Sequence, residues 1–110
     1  MALIVKKFGG SSVGNIDKIK AVAKRILDEK QPDDKIVVVV SAMGDTTDDL
    51  IQLAKGITKD PYQYTREMDM LLTTGEQVSI SLLTMAFKAL GQKAISLTGA
   101  LAGVKTNSVH

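Results

Sequence analysis

The order of apolar and polar residues divides the chain into short strands and longer helices. Leu3 to Phe8 is a brief apolar run interrupted by Lys6 and Lys7, and it meets Gly9-Gly10-Ser11-Ser12-Val13-Gly14, a cluster that ends a strand. From Ile16 the apolar positions Ile16, Ile19, Val22, Ala23, Ile26 and Leu27 recur at helical spacing, with Lys18, Lys20, Lys24 and Arg25 between them and Asn15 at the cap position. Gln31-Pro32-Asp33-Asp34 breaks this helix. Lys35 then leads into Ile36 to Val40, every one β-branched, the pattern of a strand covered on both faces. Strand, helix and strand in that order predict a right-handed βαβ unit whose two parallel strands end at the same edge.

Asp45, Thr46 and Thr47 precede Leu50, Leu53, Ala54 and Ile57, which predicts a second helix closing between Gly56 and Pro61. A third helical tract, Tyr62 to Leu72, is expected to break at Thr73-Thr74-Gly75, to resume through Val78, Leu82, Leu83, Ala86 and Leu90, and to stop at Gly91. Because Ile80, Met85 and Phe87 are also apolar, this tract is apolar over most of its circumference and is expected either to be deeply buried or to pack against another subunit. Lys93 to Leu97 reads as a third strand and Thr98 to Gly103 as a turn. Lys105 to His110 neither caps a helix nor completes a strand, and three strands leave an open sheet edge, as in a domain cut short.

Composition narrows the chemistry. The 110 residues carry 14 Lys+Arg and 12 Asp+Glu, a net charge of +2 that gives no charge-driven attraction to nucleic acid or membrane. Aromatic residues are 4% with no Trp, which argues against base-stacking platforms, while 45% hydrophobic and 24% charged residues suit an ordinary globular domain. No cysteine is present, so disulfides, thiolate nucleophiles and cysteine-based zinc sites are excluded, and a lone His110 removes most histidine-dependent catalysis. The N-terminus runs apolar before basic, the reverse of a signal peptide, and no apolar run approaches ~20 residues. A soluble cytoplasmic protein is expected.

A glycine loop between a strand and a helix can cradle an anion, since glycine lets the backbone approach closely and the helix start presents unpaired N–H groups. Glycines at 9, 10 and 14 do not fit the dinucleotide fingerprint, and the P-loop spacing fails because Asn15 and Ile16 stand where Lys and Ser/Thr are required. The cation precedes the loop instead: Lys7, two residues ahead of Gly9, is placed to reach a phosphate held on the loop amides. The same residues also admit a plainer reading, in which Lys6 and Lys7 are solvated strand-end charges and the glycines only make a turn.

The stretch Lys7-Phe8-Gly9-Gly10-Ser11-Ser12-Val13-Gly14 resembles the opening motif of the aspartokinases in the amino-acid kinase family. The resemblance continues through Val37 to Leu50, Met68 to Ser79, Leu97-Thr98-Gly99 and Lys105 to His110, in the family's order and spacing. It implies an α/β fold, a three-layer α/β/α sandwich with a mainly parallel sheet of the carbamate kinase-like kind, of which residues 1–110 form the N-terminal portion of one catalytic domain. It implies ATP-dependent phosphorylation of the β-carboxylate of L-aspartate, with Mg2+ accompanying the nucleotide, at the head of lysine, threonine and methionine synthesis. A carboxylate is already an ionised nucleophile at neutral pH, so this chemistry needs no His or Cys base.

By match to the family's motifs, Lys7 would contact the transferring phosphate and act catalytically. Phe8, Gly9 and Gly10 would form the ATP-side loop with it. Ser41 would line the aspartate and phosphate pocket, Thr47 would hydrogen-bond the substrate, and Glu76 would accept from its α-ammonium group; no metal ligand is assigned in this stretch. Duller roles stay open for three of these residues. Thr47 sits where a helix cap belongs, Thr73-Thr74-Gly75-Glu76 fits a capping box, and Ser41 fits a strand-end hydroxyl bonded to its own backbone. Ser11 stands where the family usually has Thr. Family members continue into strands carrying the arginine for the substrate α-carboxylate, much of the adenine site, and regulatory ACT domains, so little activity is expected of these 110 residues alone. The resemblance also implies a homo-oligomer, with neither nucleic-acid nor membrane partners. Rival readings are a related kinase acting on glutamate, acetylglutamate or carbamate, and a non-catalytic fragment that self-associates through the Val78 to Leu90 helix.

Overall fold

Asn15 opens the first helix as its position predicts. In the computed structural model, which describes residues 2–97, the Asn15 Oδ1 accepts from the Lys18 backbone N–H at 2.9 Å, and helix α1 runs Ile16–Glu29. Strand β1 (Leu3–Phe8) precedes it and strand β2 (Lys35–Val40) follows, in parallel register with Leu3 opposite Lys35 and Phe8 opposite Val40. Helix α2 (Thr46–Ile57), a 3₁₀ turn (Pro61–Gln63) and helix α3 (Thr65–Ala89) complete the described elements. Because the cap satisfies a helix-end N–H that water or nothing would otherwise meet, Asn15→Ala is expected to lower unfolding stability by about 1 kcal/mol in a urea titration.

The core lies on one side of the sheet. Ile19, Val22, Ala23 and Ile26 of α1 meet Val13, Val40, and Leu83 and Phe87 of α3, with Phe8, Ile36 and Val38 packed against them. Of the α1 positions that the 3.6-residue period marked, Ile19, Val22, Ala23 and Ile26 are buried and Leu27 packs partly buried against them, whereas Ile16, in the first turn, is 48% exposed. A salt bridge from Lys6 Nζ to Glu29 Oε1 (3.7 Å) ties β1 to the end of α1; both groups are partly exposed, so it adds little stability.

Three expectations are corrected. The β-branched run of β2 suggested cover on both faces, yet Val37 and Val39 are about half exposed, and so is Val5 opposite Val37, with Leu3 on the same face more exposed still. A crossover helix shields only the face it passes over, and among the described residues nothing else reaches the second face. The expected break at Thr73-Thr74-Gly75 is also not there, since α3 runs uninterrupted for 25 residues. The Thr73 and Thr74 hydroxyls fold back onto the Asp69 and Leu71 carbonyls (2.6 Å each), which removes their competition with the helix ladder. Finally, Lys93 to Leu97 is not a strand, because it pairs with neither β1 nor β2, and Ile95 stands 79% exposed. The turn expected at Thr98 to Gly103 and the Lys105 to His110 segment lie outside the described residues.

The α3 helix is buried along Met68, Gly75, Ser79, Leu83 and Phe87 and open along Met70, Val78 and Met85. It is therefore two-faced rather than deeply buried, despite its apolar circumference. Leu90 caps it and Gly91, at φ +84°, turns the chain away.

Candidate active site

Parallel pairing brings the ends of both strands to one edge, and a bond from the Ser41 N–H to the Phe8 carbonyl (3.1 Å) carries the pairing one residue past β2. Strand alternation puts Lys7, its register partner Val39, and Ser41 on the same face, the one that α1 and α3 leave open, and all three are exposed. Lys7 makes no ion pair among the described residues, whereas its neighbour Lys6 pairs with Glu29. Phe8 falls on the opposite face and packs against the core cluster, so its contribution to the loop is its backbone.

The loop after β1 is held against the loop after β2. Ser12 N–H donates to the Gly9 carbonyl (3.1 Å), and Gly44 N–H donates to the Gly10 carbonyl (3.0 Å). A Cβ at Gly10 would sit 2.9 Å from the Ala42 carbonyl oxygen, a backbone atom that cannot swing aside, so the two loops meet only because residue 10 has no side chain. Lys18 Nζ donates to the Ser11 carbonyl (3.1 Å), fixing the loop to the first turn of α1. With these carbonyls engaged, the N–H groups of Gly9, Gly10 and Ser11 donate to no acceptor among the described residues. Successive free amides beside an unpaired ammonium form a concavity suited to a phosphate group.

Thr47 lies in the first turn of α2, and Glu76 lies in the interior of α3; both are exposed. Neither duller role is realised. The α2 cap position belongs to Asp45, which makes no side-chain cap bond, and a residue deep within α3 cannot form a capping box. Gly75 presses α3 against Ala42, Thr46 and Leu50, which sets the helix turn bearing Glu76 beside the segment bearing Thr47. The side chains of Lys7, Ser41, Thr47 and Glu76 make no hydrogen bonds to one another among the described residues. The structure thus gathers Lys7, Gly9, Gly10 and Ser41 at one edge, with Thr47 and Glu76 on flanking helices.

Sequence reading missed three parts of this framework: Lys18 as a loop tether, Gly44 at φ +44°, and Ala42 as the surface on which Gly10 and Gly75 both rest. The available signal was symmetry, since Ala42-Met43-Gly44 after β2 mirrors Gly9-Gly10 after β1. An open groove of about 400 Å³ lies on the α1 side of the loop, lined by Ser11, Ser12, Lys18 and Arg25 over a floor of Phe8 and Val22. Of the residues expected in the site, it shares Phe8 alone. Among the described residues there is no group of three His, Cys, Asp or Glu able to hold a metal, and no helix long and apolar enough to cross a membrane.

A glycine loop and a lysine at the carboxyl edge of a parallel sheet define an open α/β protein whose candidate site lies at the strand ends. Residues 2–110 match the Amino acid kinase family, and the chain belongs to that family. It is 56% identical over 110 residues to the aspartokinase of Geobacillus stearothermophilus and 58% identical over 109 residues to that of Bacillus sp. (strain MGA3). The match covers 100% and 99% of this chain, respectively, and 26% of each relative, so the chain spans about a quarter of the length of the curated relatives it matches. The crystal structure of aspartate kinase from Synechocystis superposes with a TM-score of 0.82 at 58% identity, covering 89% of this chain and 16% of that one. The fold is therefore the amino-acid kinase fold, present in part among the described residues: two parallel strands and three helices.

Proposed function

We propose that residues 1–110 are the N-terminal portion of the catalytic domain of an aspartate kinase, which transfers the γ-phosphoryl group of ATP to the β-carboxylate of L-aspartate. The observation that carries this reading is the exposed, unpaired Lys7 beside the free amides of Gly9, Gly10 and Ser11. The names of the relatives supply the substrate.

In this reading a carboxylate oxygen attacks the γ-phosphorus while the bond to the β,γ-bridging oxygen breaks, giving aspartyl phosphate and ADP with no proton to move. Catalysis then consists of bringing two anions together and neutralising the phosphoryl oxygens. Lys7 places a charge on the transferring group, and the Gly9 and Gly10 amides with the Phe8 backbone hold the nucleotide's phosphates. Ser41 orients the reacting carboxylate at the same edge. Thr47 hydrogen-bonds aspartate, and Glu76 accepts from its α-ammonium. Mg2+, held by the nucleotide's own phosphates, would supply further charge neutralisation. The pocket is completed by elements beyond this segment, so the 110 residues alone are expected to turn over little or no aspartate.

The test is a substrate comparison on the full-length kinase carrying this segment. ATP and aspartate are expected to yield an acyl phosphate trappable by hydroxylamine, with glutamate, acetylglutamate and carbamate failing to compete. Preferential use of glutamate, or of another of these acids, would replace the substrate assignment while leaving the phosphate loop in place.

A further inference from the structure

Glycine in a helix interior costs about 1 kcal/mol relative to alanine, so Gly75, in the middle of α3, calls for a packing reason. The structure supplies one. A Cβ at this position would lie 3.0 Å from the Ala42 Cβ, 3.1 Å from Thr46 Cγ2 and 3.4 Å from Leu50 Cδ1. The first of these contacts is fixed to the backbone of the loop after β2 and cannot rotate away. Along the buried stripe of α3, Gly75 meets that loop, and Leu83 and Phe87 pack in the cluster with α1 and β2. Ser79, one turn further along the same stripe, is 1% exposed, and its Oγ finds no partner among the described residues.

Two residues assigned to aspartate flank this contact. Glu76 follows Gly75 directly, and Thr47 follows Thr46. The phosphate-side residues are tied to the loop after β2 and not to α3, through the bonds from the Gly44 N–H to the Gly10 carbonyl and from the Ser41 N–H to the Phe8 carbonyl. We infer that Gly75 is a positioning residue for the amino-acid substrate: its missing side chain sets the distance between Glu76 on α3 and Thr47 on α2. This inference rests on the aspartate kinase reading above. A methyl group at position 75 displaces α3 from the Ala42 to Leu50 segment by a few tenths of an ångström and moves the two substrate contacts apart, while Lys7 and the glycine loop keep their places.

The test is steady-state kinetics on the full-length kinase with Gly75→Ala, with Ala42→Gly, and with both. Gly75→Ala is expected to raise KM for aspartate by about 3- to 10-fold, the scale of a shift of a few tenths of an ångström, with KM for ATP changed less than about twofold. The double variant removes the fixed methyl that the new one meets, and it is expected to recover most of the aspartate affinity. A purely structural role would move both KM values, or only the melting temperature. An unchanged aspartate KM in folded Gly75→Ala overturns the inference. So does a double variant that fails to fold or fails to regain affinity. If the unsubstituted kinase phosphorylates no aspartate, the functional reading itself fails, an outcome distinct from either of these.

Discussion

Replacing Lys7 by alanine is expected to lower kcat of the full-length kinase by about 10²- to 10³-fold, the cost of removing one preorganised donor from a site of developing negative charge. The expectation follows from where the ammonium stands. It lies on the open face of the sheet, at the edge where both strands end, with no ion pair among the described residues to consume its charge. For the same reason the substitution leaves the fold alone. Lys7 is exposed and buries nothing, so the melting temperature and circular dichroism spectrum are expected to match those of the unsubstituted protein. Lys7→Arg keeps the charge but replaces a compact ammonium on a flexible stem with a planar fork, and is expected to recover only part of the rate. An unaltered kcat in Lys7→Ala would remove the lysine from the site and leave the amides alone as the anion cradle. Lys6→Ala is the control, since that neighbour points to the other face and is spent on Glu29.

The largest effect on stability is expected at Ile26. It is 1% exposed and sits at the centre of the cluster that α1, α3 and β2 share. Truncation to alanine removes three carbons from a close-packed site that cannot fully collapse, at a cost of about 2–5 kcal/mol. The midpoint of a urea titration reads this directly, and Ile16→Ala serves as the comparison. Ile16 belongs to the same helix but is 48% exposed, and its loss is expected to be within a few tenths of a kcal/mol up to about 1 kcal/mol. Equal losses at the two positions would mean that the inward face of α1 is not the one described.

How legible this protein is from its residues depends on the range of the interaction concerned. The βαβ unit, the Asn15 cap and the inward positions Ile19, Val22, Ala23 and Ile26 rest on contacts within a few residues or on a repeating period, and the residues state those outright. Elsewhere a local signal is overruled by a distant contact. Thr73-Thr74-Gly75 looks like a break because hydroxyl residues and glycine compete with a helix. In α3 the hydroxyls bond back to carbonyls one turn earlier, and the glycine is held by packing against a loop some thirty residues distant in sequence. Glu76 illustrates the consequence for the site. Its capping-box context dissolves once the helix is seen to run through it, and it is left exposed beside the α2 start.

From the residues alone came the α/β order, the strand that delivers Lys7 to a glycine loop, and a chemistry limited to charge and backbone amides by the lack of cysteine and the near lack of histidine. Only the tertiary structure decided which amides stay free, which face of the sheet stays open, and that Gly10 and Gly75 both close on Ala42. The division has a physical cause. Periodicity and capping are fixed by backbone geometry over a turn or two, whereas a close approach between segments distant in sequence depends on the absence of a side chain, and an absence carries no periodic mark.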